Sequence, residues 1–103
     1  MKNFAKYTLI TDMKLNDVDK ALGDKINQEN ENNTGIWDDR YGLVTLGGIE
    51  EKGVDYVAFQ GEIRGNTQGE CKQLLSGFKK QIKTSLPGVK NVSDQLVAFG
   101  NYI

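Results

Sequence analysis

Four groups of residues have the types and spacing that could do chemistry. Adjacent acids stand at Asp38-Asp39 and at Glu50-Glu51, and paired carboxylates supply the oxygen ligands that a hard cation takes. Neither pair falls in a twelve-residue calcium-loop pattern, and acids in loops and turns are ordinarily just solvated. Gly61, Gly65 and Gly69 precede a helical stretch, as glycines do where backbone N–H groups cradle a phosphate. Their spacing fits neither the dinucleotide nor the P-loop fingerprint, and no glycine is followed by a Lys-Ser or Lys-Thr pair. Lys72, Lys79 and Lys83, with Lys80 beside them, offer cations that nucleic acid phosphates attract. The chain is acidic overall and no aromatic residue is interleaved among those lysines. Nucleic acid is therefore not the expected partner, and a solvated helix face is the plain reading. Trp37, Arg40 and Tyr41, grouped around Asp38 and Asp39, are the side-chain types that most often anchor protein interfaces. The alternative for this group is to cover one end of a core.

Other chemistry is excluded by what the chain lacks. It has no histidine, the usual general base and the commonest metal ligand. Cys71 is the single cysteine, so neither an internal disulfide nor a cysteine-based zinc site can form. Cys71 falls within an apolar stripe, the place of a small core residue rather than a reactive thiol. Asn32-Asn33-Thr34 and Asn91-Val92-Ser93 match the glycosylation acceptor pattern, which arises often by chance. No catalytic constellation, cofactor site or metal site is expected, and the protein is read as not an enzyme.

The element around which the rest is arranged runs from Thr67 to Leu86. Thr67 and Glu70 have the spacing of a capping box. Cys71, Leu74, Leu75, Phe78, Ile82 and Leu86 recur at steps of three and four, which gathers them on one side of an α-helix. Lys72, Ser76, Lys79 and Lys83 form a second line about a quarter turn away. Pro87-Gly88 ends the helix. Before it, Lys6 to Thr11 is β-rich and reads as a strand. Asn16, with Asp17 and Asp19 in the first turn, caps a helix that the spacing of Leu15, Val18, Leu22 and Ile26 carries to about Glu29. Tyr41 to Glu50 reads as a second strand, in which Gly47-Gly48 predicts a bulge or a close backbone approach. Glu51-Lys52-Gly53 turns the chain into a third strand, Val54 to Arg64, with Val57, Phe59 and Ile63 on one face. A polar passage follows Pro87-Gly88, and Gln95 to Ile103 closes the chain as the last strand.

The order β-α-β-β-α-β predicts an α+β, ferredoxin-like fold, with two helices laid on one face of a four-stranded antiparallel sheet. The other face would be wet or covered by a partner. At 103 residues the chain is one domain, residues 1–103. Its 26% of charged residues is an ordinary globular share. The net charge of −1 conceals an asymmetry. From Asp12 to Glu62 there are twelve acids against five bases, a net of −7. From Arg64 to Lys90 there are six bases against one acid, a net of +5. Such a split lets the halves pair internally, or present opposite faces to copies of the chain or to a partner. No apolar run approaches membrane-spanning length and no signal peptide opens the chain, so a soluble protein is expected.

Three passages, in order, resemble the globular domains of type IVb pilins, the toxin-coregulated kind in particular. They are Gly42 to Ile49, GLVTLGGI; Ala58 to Leu75 around TQGECKQLL; and Val97 to Asn101, VAFGN. Together they cover about a third of the chain, and the middle passage is the most distinctive. The resemblance implies a non-enzymatic, extracellular fibre subunit whose helix faces pack against neighbouring subunits. It also implies an alternative fold, a long N-terminal helix lying on an antiparallel sheet. Pilins of that kind carry a second cysteine, which this chain lacks. The competing functional reading is a small cytoplasmic protein-binding module or inhibitor, of phage or mobile-element type, that occludes a partner's surface. Both readings place contact with protein, the chain's own copies or another's, on Trp37, Arg40, Tyr41, Lys72, Lys79, Lys80 and Lys83.

Overall fold

Residues 3 to 14 alternate, with Ala5, Tyr7, Leu9, Thr11 and Met13 on one side and Phe4, Lys6, Thr8, Ile10 and Asp12 on the other. That is the period of a strand, not of a helix. In the computed structural model, which describes residues 2–17, 39–42 and 44–102, this segment is β1 (Asn3–Lys14). It is paired on both sides, with β3 (Val54–Gly65) and with β4 (Val92–Asn101), antiparallel in each case. β2 (Thr45–Glu51) pairs antiparallel with β3, so the sheet order is β2-β3-β1-β4. The fold is thus α+β with a four-stranded antiparallel sheet. The alternative of a long N-terminal helix is overturned, because residues 3–14 form a strand with a partner on each edge.

Among the described residues the sheet carries one long helix, α1 (Gln68–Ser85). Thr67 caps it as expected, its hydroxyl accepting from the Glu70 N–H at 3.1 Å. The Glu70 carboxylate in turn accepts from the Asn66 N–H at 3.0 Å, completing the start of the helix. Cys71, Leu75, Phe78 and Ile82 are its buried face, continued by Leu86 beyond its end, while Leu74 is half-buried. They meet Ala5, Tyr7, Leu9 and Met13 from β1 and Val57, Phe59 and Ile63 from β3. Each large side chain buried there contributes about 1.5–3 kcal/mol. Phe78 is the hub of this core. Its ring lies 4.7 Å from that of Tyr41, stacked, and 5.3 Å and 6.0 Å from Tyr7 and Phe59, edge-on. The helix expected from Asn16 to Glu29 falls almost entirely outside the described residues, which end there in a 3-10 turn at Leu15–Asp17.

Boundaries differ from expectation where pairing outranks local sequence. β4 begins at Val92, inside the polar passage, because Ser93 and Asp94 pair with Ile10 and Leu9. Tyr41 is not in β2 but in a 3-10 turn at Asp39–Tyr41 that lays its ring on Phe78. The β2–β3 register runs without a shift from Thr45↔Gln60 to Glu51↔Val54, so Gly47-Gly48 makes no bulge. Gly48 instead leaves room for the Leu15 side chain, which a Cβ would approach to 3.0 Å. One irregularity lies in β4, where Gln95 is left between the partners of Thr8 and Leu9, and another in the central strand β1. Between Ile10 and Lys14 β1 slips against β3. There the buried Thr11 hydroxyl donates to the Val57 carbonyl at 2.9 Å and accepts from the Met13 N–H at 3.2 Å, replacing ladder bonds. Lys52 and Gly53, both at positive φ, make the two-residue turn of the β2–β3 hairpin.

Candidate functional site

The helix α1 is held with its apolar stripe inward, and this decides where its lysines go. Lys72, Lys79 and Lys83 each follow a buried residue by one position, so they line the flank of α1 above β4. Lys72 is exposed, and its Nζ sits 5.4 Å from the Phe99 ring centre. Lys79 is half-buried and forms an ion pair with Asp94 of β4. Lys80 and Lys83 are exposed. Among the described residues Lys72, Lys80 and Lys83 have no carboxylate partner. The basic line is therefore real, but one of its members is committed to an internal contact that the sequence did not disclose.

The loop expected to anchor an interface divides differently. Trp37 lies outside the described residues. Arg40 is exposed, its guanidinium 5.8 Å from the Tyr41 ring centre. Tyr41 is 6% exposed and belongs to the core, so it is corrected from an interaction residue to a packing one. Its ring stacks on Phe78 and its carbonyl accepts from the Tyr7 hydroxyl at 2.9 Å. Burial drives the Tyr7 hydroxyl's pKa up, beyond the ordinary tyrosine range.

The glycine-rich approach to α1 offers no cradle for a phosphate. Gly61 is in the middle of β3, and Gly65 packs so close that a Cβ would lie 3.0 Å from the Cys71 sulfur. The Glu70 carboxylate already occupies the positive end of the helix, where an anion would bind. Burial, then the neighbouring Glu70 charge, raises the Cys71 pKa. With no accessible surface, Cys71 is packed as a core side chain. Glu50 and Glu51 are exposed at the end of β2, and Glu50 stands directly across from Asp55 on β3. Asp38 lies outside the described residues. No cluster of three or more potential metal ligands is found among the described residues.

Two features were not legible beforehand. The first is the outer strand β4, where Leu96 is 64% and Phe99 37% exposed on opposite faces of the sheet. The second is the sheet face away from α1. There Phe4 and Tyr102 pack at 4.9 Å, flanked by Lys6 over the first ring and Arg64 over the second. Glu62 joins them, its carboxylate 3.2 Å from the Arg64 Nε. A hydrogen bond from the Tyr102 side chain, then Arg64, holds the Glu62 pKa below the ordinary carboxylate range. Beside this cluster lies an open depression of about 430 Å³ lined by Lys6, Thr8, Gln60, Glu62 and Leu96. The alternation of β1 and β3 is the signal for these outward residues, once the strands are known to be neighbours.

No family model matches this chain, and no curated protein matches it. Among solved structures it is similar to a de novo designed protein with a ferredoxin fold, determined by NMR in solution. That likeness has 10% sequence identity, covers 100% of this chain and 86% of the other, and has a TM-score of 0.39, too low to define a fold. No helix among the described residues is long and apolar enough to cross a membrane.

Proposed function

We propose that this chain is a non-enzymatic interaction protein that works by contact with other protein through the exterior of α1. The observation that supports this reading is the set of exposed lysines, Lys72, Lys80 and Lys83, without carboxylate partners on a chain of net charge −1. Such a patch steers an acidic partner and fixes its orientation. Lys79 adds to it only as far as its ion pair with Asp94 permits. Arg40, exposed in the 3-10 turn at Asp39–Tyr41, and Trp37 complete the proposed contact residues; Tyr41 is withdrawn from them.

A pilin-like subunit packing through its helix faces is the specific form of this reading, supported by the three sequence passages alone. They fall on the approach to β2 and β2 itself, on β3 and the first half of α1, and on the end of β4. It would place the protein outside the cell, in a fimbrium. The central position of β1 supports the second form, a cytoplasmic protein-binding module, since residues 3–14 are a sheet strand rather than a helix. The complete ferredoxin-like arrangement, with a second helix from Asn16 to about Glu29 on the face that α1 covers, belongs to this proposal. Backbone chemical shifts over residues 16–29 test it.

The functional reading is tested by capture from the native extract with the wild-type chain and with Lys72→Glu/Lys80→Glu/Lys83→Glu. The reversal should abolish capture, as should raising the salt to about 1 M, where screening acts beyond about 3 Å. Equal capture by a folded triple variant would dismiss the helix exterior as a functional surface.

A further inference from the structure

The two edges of the sheet are unlike each other. β4 is ten residues long, contains no proline, and its single charge, Asp94, is tied to Lys79 of the same chain. Natural edge strands are usually blunted by charge, proline or shortness. A bulge does fall where Leu96 and Asp94 pair with Thr8 and Leu9, leaving Gln95 between them. Beyond it Leu96 to Asn101 is a regular run with Leu96 and Phe99 exposed. Lys72, Lys79 and Lys83 overhang this edge from the helix side. β2, at the other edge, is seven residues long and ends in Glu50-Glu51. Glu50 and Asp55 are directly opposite on the helix side of the hairpin, a like-charge pair that costs stability until a cation approaches. Neither has an ion-pair partner among the described residues.

We propose that copies of this chain associate edge to edge, the β2 edge of one copy adding to the β4 edge of the next. This deepens the protein-contact reading above and rests on it, by naming the partner as a second copy. Strand direction permits the pairing. β2, β3, β1 and β4 are antiparallel in succession, so β2 and β4 run in opposite senses. A copy displaced along the sheet, helix face up, therefore presents β2 antiparallel to β4. Leu46 of the incoming strand then shares the helix side with Phe99, and Ile49 shares the open side with Leu96. Glu50 arrives on the side where Lys79 and Lys83 project. Charge also rejects the two symmetric alternatives. Pairing β4 with β4 would set the lysine rows of two helices side by side, and pairing β2 with β2 would oppose Glu50 and Glu51 to themselves. The accepted contact is head to tail, so association does not stop at a dimer unless a ring closes.

The test is sedimentation of the full chain over a range of concentrations, at about 10 mM salt, where the Debye length is about 30 Å, and at about 1 M. Wild type should grow past the dimer with concentration at low salt and dissociate at high salt. Glu50→Lys/Glu51→Lys and Lys72→Glu/Lys83→Glu should each weaken self-association by at least about tenfold. Mixed in equal amounts, the two variants should associate again, because each then offers the other an edge of opposite charge. Leu96→Lys should weaken association as well, since it places a charge on the receiving edge. A wild-type chain that remains monomeric at about 1 mM in low salt overturns the proposal. So does failure of the mixture to associate. Should the glutamate reversal leave association intact while the lysine reversal abolishes it, edge pairing falls and the helix-exterior reading stands. Circular dichroism of each variant confirms that the fold is unchanged.

Discussion

Phe78 is the position at which the packing argument can be tested most sharply. Its side chain has no exposed surface and meets three other rings, at 4.7, 5.3 and 6.0 Å. Truncation to alanine removes a fully buried aromatic and leaves a cavity beneath the middle of α1, a change that typically costs about 3–5 kcal/mol. The stacked and edge-on contacts are each worth about 0.5–1.5 kcal/mol beyond burial, which puts Phe78→Ala at the upper end of that range. Domains of this size are stable by about 5–15 kcal/mol, so the loss consumes a third or more of the total. Urea unfolding followed by the helical circular dichroism signal measures it directly, with the slope m unchanged if unfolding stays two-state. Phe99→Ala is the control. That ring is 37% exposed on the edge strand, so its truncation should cost clearly less, about 1–2 kcal/mol. If Phe78→Ala costs no more than Phe99→Ala, α1 is not seated on the sheet through this ring and the account of the core is wrong.

Further outcomes follow from the same fold. Gly42 has φ of +76°, and a Cβ there would lie 2.1 Å from the Glu62 carbonyl oxygen; Gly42→Ala should lower stability by more than the left-handed penalty of about 1–2 kcal/mol, measured by urea unfolding. Gly88→Ala, whose Cβ would meet only the flexible tip of Met13 at 2.7 Å, should cost clearly less. Tyr7 titrates higher folded than unfolded because it is buried, so its contribution is intact below the unfolded value of about 10 and is lost as pH rises above it; alkaline unfolding should shift upward in Tyr7→Phe, relative to that variant's own neutral-pH stability. Asp12 is the opposite case: burial pushes its pKa up, but the N–H groups of Lys90 and Asn91 outweigh this and hold it low. Its contribution is present above the unfolded value of about 3.9 and lost as pH falls through the folded one, so Asp12→Asn should flatten the acid limb of the stability–pH curve. Cys71 should react with a thiol reagent only at the rate of unfolding, and immediate labelling of native protein would show it exposed.

Most of the architecture could be read from periodicity, because the signals there are local. Thr67, Glu70 and the spacing of Cys71, Leu75, Phe78 and Ile82 fix α1 to within one residue at either end. The β2–β3 hairpin follows from Lys52-Gly53, whose positive φ values suit a two-residue turn. What failed was whatever depends on a neighbour far away in sequence. Tyr41 reads as a strand residue that either anchors an interface or covers one end of the core, and a partner 37 positions on, Phe78, draws it into a turn and into the core. Gly47-Gly48 allows a bulge or a close approach, and the fold uses the close approach, of Leu15 to Gly48; the slips fall in β1, where Thr11 supplies the missing hydrogen bonds, and in β4 at Gln95.

The candidate surface was half legible for the same reason. A helical wheel places Lys72, Lys79 and Lys83 on one line, but only the sheet order says that the line overhangs β4 rather than open water. That order converts Lys79 from an available cation into the partner of Asp94, and it makes the exposure of Leu96 and Phe99 a property of an edge instead of a scatter of surface apolar residues. Charge bookkeeping points the same way. The acids of the β2–β3 hairpin, Glu50, Glu51 and Asp55, would offset the lysines of α1 within one molecule if that end of the hairpin lay beside the helix. With β2 at one edge and β4 at the other, the acids of that hairpin do not meet the lysines of α1 in one copy. The acids at Glu50, Glu51 and Asp55 and the lysines above β4 are separated by the width of the sheet, and the proposed edge contact between two copies is what would bring them together.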